Sequence, residues 1–388
     1  MNGKKRTLLF LSWRDIKAPK SGGAEVFTHE MLKRLDTDRY EIIHYSPMFP
    51  GANPDERIDG VRYIRKGGNL SVIFHAQRYY AKHQSRIDYV VDQCNTHRFF
   101  TPLWVKASKR IFFIHQLTRE IWHLNAKFPV STLGYWTETP MLRLSRHDYT
   151  MTVSNSTRKD LLAAGFNPDK MTVLPEGIEF EHWPREQFLE KEASPVFIYV
   201  GRFVHYKGID DTVKAFSEVK RKHPQAKLWV VGKTDHRYVQ EVLKPIMDEA
   251  GLSYGEENEG RDVTFFGFVS ASRKLELMSR SHALLFPSLR EGWGLIITEA
   301  GAVGTPSIVY HSPGIIDAVD EGRAGFLCSE NKVEDLAGFM NQVIEQPEQA
   351  ELMREKAYKF SLNFHWRHTA ASFDRWMDQL YAKEGGAR

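Results

Sequence analysis

Short apolar runs alternate with amphipathic stretches along nearly the whole chain. In the first half TLLFLSW (7–13), YEIIHYS (40–46), VRYI (61–64), DYVVDQ (88–93), RIFFIHQ (110–116), YTMTVS (149–154) and MTVLPE (171–176) read as strands. The rhythm continues with VFIYVGR (196–202), KLWVVG (227–232), VTFFGF (263–268), HALLFPS (282–288) and PSIVYH (306–311). Several of these runs are apolar at consecutive rather than alternate positions, as in strands buried on both faces of a parallel sheet. Between them AEVFTHEMLKRL (24–35), GIDDTVKAFSEVKRKH (208–223) and KLELMSRS (274–281) carry helical periodicity. Strand and helix in alternation predict βαβ units and doubly wound α/β sheets.

The pattern breaks at EHWPREQFLEKEASP (181–195), charged, bracketed by Pro184 and Pro195, and weakly apolar, as in a linker. A chain of 388 residues is too long for one ordinary core. We expect a first domain over 1–185 and a second over 191–365. Successive helices follow Lys332, the last running over 366–388 from Trp366. In such sheets ligands sit outside the carboxyl ends of the strands, so the loops that follow strands are the places to look for chemistry.

Composition narrows the class. Charged residues make up 26% and apolar types 42%, a globular balance. No apolar run approaches the roughly 18 residues that span a bilayer. The start, MNGKKRTLLFLSWRD, has basic residues ahead of an apolar run, but Arg14 and Asp15 follow it without a small-residue cleavage site. It reads as the first strand. Cys94 and Cys328 are the only cysteines and suggest neither a disulfide framework nor a zinc site, so a cytoplasmic protein is the expectation.

Charge is uneven. Residues 1–190 hold 28 Lys+Arg against 21 Asp+Glu, and the remainder 25 against 28. Within 60–110 the count is 10 against 2. Such a face fits an anionic partner, and an ordinary solvated surface gives the same count. No nucleic-acid-binding motif accompanies it.

Four strand-end features could carry chemistry. Gly22-Gly23 precedes a helix, where bare backbone can approach an anion; a plain tight turn looks the same. His115 closes the strand RIFFIHQ and could donate a hydrogen bond to a reacting substrate, or serve the fold as one of 16 histidines. Arg202 ends a strand and Lys207 lies five residues on, before Gly208 and a helix. Two cations at such a junction suit a diphosphate, although solvated side chains would read alike. Neither a P-loop nor a Gly-x-Gly-x-x-Gly follows a strand, against a nucleoside triphosphate or NAD.

The fourth is FPSLREGWGLIITEAGAVGTPSIV (286–309), an apolar stretch holding Glu291 and Glu299. A carboxylate in such surroundings costs several kcal/mol unless it is paired. Gly292 and Gly294 around Trp293 keep the loop backbone bare, a helix starts near Leu295, and its N–H groups can hold an anion. Ionised glutamates only accept hydrogen bonds and suit hydroxyl-rich partners such as a hexose or a ribose. A helix cap and a solvated glutamate is the plainer alternative.

REGWGLIITEA resembles the Glu-x7-Glu signature of retaining glycosyltransferases of family 4. The rest of the chain agrees in order: SGGAE, IHQ, TVSNSTRKDLLAAG, LPEGIEF, YVGRFVHYKGID, VTFFGFV and PGIIDAVDEGRAGFL. The resemblance implies the GT-B fold, two Rossmann-like domains facing a cleft with the last helix crossing back to the first. It implies that Arg202 and Lys207 hold the diphosphate of a nucleotide-sugar, sharing it with the backbone at Gly22, Gly23 and Gly292 to Leu295. Glu291 would then bond the transferred sugar, Glu299 the ribose, and His115 would sit near the anomeric carbon. It implies a hexose donated to a glycan, glycolipid or polyprenyl-linked acceptor by a front-face mechanism, with no metal or cofactor required. The one compact Asp-x-Asp, Asp36-Thr37-Asp38, reads as a turn. Gln116 after the histidine and Trp293 between the glycines depart from the usual pattern and leave the donor open.

In IFHAQRYYAKHQSR, Arg78, Lys82 and Arg86 are spaced by four and predict a basic helical stripe. It could meet an anionic membrane face or a polyprenyl-diphosphate-linked acceptor, or simply be solvated. A nucleotide-sugar epimerase and a non-catalytic nucleotide-sugar binder of the same fold stand as alternatives.

Overall fold

A computed structural model describes residues 5–94, 98–257 and 260–385. The expected domain limits at residues 1 and 388 lie outside them. The chain divides into two compact units, Met1–Glu179 with His365–Arg388, and Phe180–Phe364.

The first unit is built on β1 (Arg6–Leu11), β2 (Tyr40–Ser46), β3 (Asp55–Ile58), β4 (Val61–Arg65), β5 (Tyr89–Cys94), β6 (Arg110–Ile114), β7 (Tyr149–Thr152) and β8 (Met171–Val173). They line up as β3-β4-β2-β1-β5-β6-β7-β8, parallel except for β3 on β4. Leu8 to Leu11 are fully buried, which explains the unbroken apolar run of β1. The order reverses between β1 and β5, giving a topological switch point. The Trp366–Gly385 helix belongs to this unit. Trp366, Ala370, Phe373, Met377 and Leu380 form one buried face, and Phe373 meets Phe10 with ring centres 6.2 Å apart. Asp374 anchors the helix by accepting from Tyr40 Oη at 2.6 Å and Arg39 Nη1 at 2.7 Å.

The second unit holds β9 (Val196–Val200), β10 (Lys227–Val231), β11 (Tyr254–Glu256), β12 (Val263–Gly267), β13 (Ala283–Phe286), β14 (Ser307–Val309) and β15 (Phe326–Leu327). The order is β11-β12-β10-β9-β13-β14-β15 and every described pair is parallel. Its switch point lies between β9 and β13, where Phe197 faces Ala283 in register. Ile209, Val213 and Phe216 of the Ile209–Lys222 helix are fully buried in the core of this unit.

Segment 181–195, read from sequence as a linker, is tied to the second unit. Trp183 N donates to Ala302 O at 3.1 Å, and His182 Nε2 lies 2.8 Å from Ser361 O. Lys191 Nζ reaches the carbonyls of Ser279, Ser281 and Gly304 and the hydroxyl of Thr305 at 2.6–3.0 Å. Burial pulls its pKa well below the ordinary lysine value. Among the described residues no helix is long and apolar enough to cross a membrane.

Candidate active site

The loop after β9 and the loop after β13 leave neighbouring strands at the switch point of the second unit. The first carries Arg202 and Lys207, the second Glu291. Their side chains meet: Lys207 Nζ and Glu291 Oε1 form a hydrogen-bonded salt bridge, both side chains only 14% exposed. The buried Ser288 hydroxyl donates to the same oxygen at 2.7 Å. Lys207 Nζ also stands 5.6 Å from the Tyr206 ring centre and 5.4 Å from that of Phe286, so two aromatic faces help hold the cation. Arg202 is exposed, and its guanidinium donates to Tyr206 Oη. Tyr199 Oη fixes the loop by donating to Arg202 O at 2.8 Å.

Glu291 is positioned from a third loop. Its N–H donates to Pro313 O at 3.1 Å. The next residue, Gly314, has φ +80°, and a Cβ there would lie 2.1 Å from Glu291 O. Only glycine lets the β14 loop pass this close. Gly294 then turns through φ +97° and starts the Leu295–Ala302 helix, where sequence places it. Trp293 is buried, its Nε1 donates to Thr298 Oγ1 at 3.0 Å, and its ring meets that of Phe364 at a tilt with centres 4.8 Å apart. Its place is to brace the loop from behind. Glu299 is half-buried and paired with Lys274 of the Ala271–Arg280 helix. Sequence reading missed Lys274 and Ser288, which carry no local signal beyond their position near a helix start and a strand end.

In the first unit Gly22 and Gly23 are exposed before the Gly23–Leu32 helix. Gly22 N–H is already taken: it donates to Glu25 Oε2 at 2.7 Å, while Arg14 Nε donates to Glu25 Oε1 at 3.0 Å. Space beside Gly23 is open, with nothing within 4 Å of where a Cβ would stand. His115 is buried, edge-on to Phe27 with ring centres 5.0 Å apart. Nδ1 is 3.6 Å from Glu176 Oε1 and Nε2 is 3.5 Å from Gln93 Nε2. With Gln93 donating, Nε2 accepts and the Nδ1 proton faces Glu176. Glu176 lies in LPEGIEF, and sequence reading gave it no role.

Arg78 and Lys82 share the exposed side of the Ser71–His83 helix. Arg86 falls beyond the helix end, in the turn closed by its own N–H to His83 O at 2.9 Å, so the stripe has two helical members instead of three. Tyr80 beside it is buried in the core. Asp36 forms a turn by accepting from Asp38 N at 2.8 Å.

Comparison with known proteins bears on this geometry. Two family profiles match end to end: "Glycosyltransferase Family 4" over residues 21–182 and "Glycosyl transferases group 1" over 183–360. The sucrose-phosphate synthase of Thermosynechococcus elongatus superposes with a TM-score of 0.77 at 17% identity, over 98% of this chain and 100% of that one. The chain has the GT-B fold. Sequence relatives include a glycogen synthase of Mycobacterium tuberculosis, 26% identical over 59% of this chain and 54% of its own length. A D-inositol 3-phosphate glycosyltransferase of Acidothermus cellulolyticus is 27% identical over 53% of this chain and 47% of its own. The GT-B chain thus spans about half the length of the curated relatives it matches. The boundary between the two profiles, at 182/183, falls within the tied-down segment 181–195.

Proposed function

We propose that the chain is a retaining glycosyltransferase that moves a hexose from a nucleotide-sugar to a hydroxyl of a glycan, glycolipid or polyprenyl-linked acceptor, without need of a metal. The observation that carries this reading is the meeting of Lys207 and Glu291, with Arg202 alongside, across the switch point of an all-parallel sheet. Ligands of such sheets bind there. Two cations suit a diphosphate, and a carboxylate held by a lysine and a serine suits sugar hydroxyls.

In this reading the bond from the anomeric carbon to the diphosphate oxygen breaks with its electron pair going to the diphosphate. Arg202, Lys207 and the N–H groups at the Leu295 helix start offset that developing charge. The acceptor oxygen bonds the anomeric carbon on the same face, and its proton passes to the departing diphosphate. Glu291 orients the sugar, Glu299 takes the ribose, and His115 stands at the reacting end with Glu176 facing its Nδ1. The exposed Arg78 and Lys82 support a peripheral contact with an anionic cytoplasmic membrane face, and no nucleic acid is involved.

The test is a panel of UDP- and GDP-sugars incubated with and without glycan and lipid-linked acceptors, with free nucleotide and product anomers measured. Acceptor-dependent release with a retained anomer is expected. Isomerised donor without acceptor, or binding without turnover, contradicts the reading.

A further inference from the structure

The first unit holds a cavity of about 380 Å³ whose lining includes Ile114 and Gln116, on either side of His115. That volume falls within the roughly 300–1,000 Å³ of small-ligand sites. Its walls are largely apolar: Trp13, Ile73, Phe100, Ile114, Trp122 and Leu142. One cation, Arg98, lines it and is only 5% exposed. Arg98 Nη1 and Nη2 donate to Met141 O and Ser145 Oγ, both neutral, and its Nε has no hydrogen-bond partner. Among the described residues it has no ion-pair partner.

The nearby carboxylates are engaged elsewhere. Glu138, also in the lining, accepts the N–H groups of Thr118 and Arg119 at 2.5 and 2.8 Å. Asp148 is paired with Arg110 at 2.7 Å and also attracts Arg98, with Ser145 hydrogen-bonded to both. Trp122 Nε1, a second buried donor of the lining, is also unpartnered. Arg98 has no direct ion pair among the described residues, and leaving its Nε–H buried without an acceptor costs about 1–3 kcal/mol, which an anion bound beside it offsets. A free phosphate would meet Arg98 and Trp122 Nε1 and leave the apolar walls uncovered. The combination selects an amphiphile, an anionic head on a hydrocarbon chain.

The outside of the same wall agrees. The Val130–Leu142 helix contributes Thr137 and Met141 to the cavity. One turn apart along it, Val130, Leu133 and Trp136 face outward, the last two 65% and 71% exposed, beside Phe128 at 82%. Leu70, which lines the cavity, is 79% exposed. Exposed apolar side chains this densely grouped mark a contact surface. The surrounding chain is basic, with 8 Lys+Arg against 2 Asp+Glu over residues 98–147, which suits an anionic bilayer.

We propose that this cavity takes the phosphate and first hydrocarbon units of a lipid-linked acceptor, delivered by a bilayer that the exposed face of the Val130–Leu142 helix touches. The proposal rests on the transfer reading above and narrows its acceptor to one carried on a lipid phosphate.

The test titrates the full chain with farnesyl phosphate, farnesol and inorganic phosphate, following tryptophan emission, and floats it with vesicles of phosphatidylcholine and phosphatidylglycerol. Farnesyl phosphate should bind at least 10-fold more tightly than either fragment. Thr137→Phe, at an exposed lining position, should weaken it 10-fold with Tm unchanged. The double variant Leu133→Ser, Trp136→Ser should lower flotation at least 5-fold with UDP binding retained. Equal binding of the three ligands, an unaltered affinity in Thr137→Phe, or unaltered flotation in the double variant would overturn the proposal. Transfer to a soluble sugar with no farnesyl phosphate binding overturns the lipid site and leaves transfer standing. Farnesyl phosphate binding without turnover of any nucleotide-sugar sinks the transfer reading instead.

Discussion

Lys207 and Glu291 are 84 residues apart in sequence and joined by a salt bridge at the carboxyl ends of adjacent strands. Each explains why the other can be half-buried in an apolar neighbourhood. The lysine neutralises the carboxylate, and a donor diphosphate would compete for the same ammonium.

Glu291→Gln keeps the shape and removes the charge, and Lys207→Met removes the cation. Each should lower kcat on the order of 10²- to 10³-fold. Lys207→Met also leaves Glu291 with Ser288 alone, at about 2 kcal/mol and a fall in Tm of roughly 4–8 °C. The double variant should recover Tm and not activity. Steady-state kinetics beside thermal unfolding separates the two effects, and a single variant with full turnover contradicts the assignment.

Glu299 and Lys274 form the second pair. If Glu299 takes the ribose, Glu299→Gln should raise KM for the donor roughly 10-fold with a smaller change in kcat. Lys274→Met should raise it less, by releasing Glu299 from its partner. A change confined to kcat would place Glu299 elsewhere in the reaction.

Two glycines should respond oppositely. Gly314→Ala forces a Cβ against Glu291 O, 2.1 Å away, at φ +80°. A loss of more than about 2 kcal/mol is expected, with loss of activity. Gly338, inside the Val333–Glu345 helix with open space at its Cβ, should gain about 0.5–1 kcal/mol as alanine. Chemical denaturation of both variants checks the contrast.

Acid should weaken the second unit through His282. Its Nδ1 accepts from Val196 N at 3.1 Å, and burial lowers its pKa from 6.5 to about 4, with Lys191 adding to the effect. The unfolded chain takes up this proton near pH 6.5 while the folded one refuses it. The contribution is therefore whole above pH 6.5 and is lost as pH falls toward 4, by at most about 1.4 kcal/mol per pH unit. His282→Asn should flatten that slope in urea melts at pH 7.5, 6 and 5. An unchanged slope would contradict it.

Much of this architecture was legible from sequence. Consecutive apolar positions in LLFL and VFIYV announce buried parallel strands, and the Trp366 helix shows its face by spacing. Arg202, Lys207 and Glu291 stand out because charge is costly where the neighbours are apolar or glycine. The strands Asp55–Ile58, Tyr254–Glu256 and Phe326–Leu327 escaped notice, being short edge strands with weak patterns. Lys191, Lys274 and Glu176 are ordinary residues until the fold brings distant partners to them. Arg86 joined a stripe on paper because spacing alone does not say that the helix stops at His83. The capping of Gly22 by Glu25 was within reach, since a glutamate three residues on is a capping signal.

Calorimetric titration of the full chain with UDP and uridine, and with GDP and guanosine, tests the central claim most directly. The account predicts that one diphosphate binds at least 10-fold more tightly than its nucleoside, and that Arg202→Ala with Lys207→Ala erases the difference. A diphosphate preference that survives the double substitution would contradict a donor site at the β9–β13 switch point.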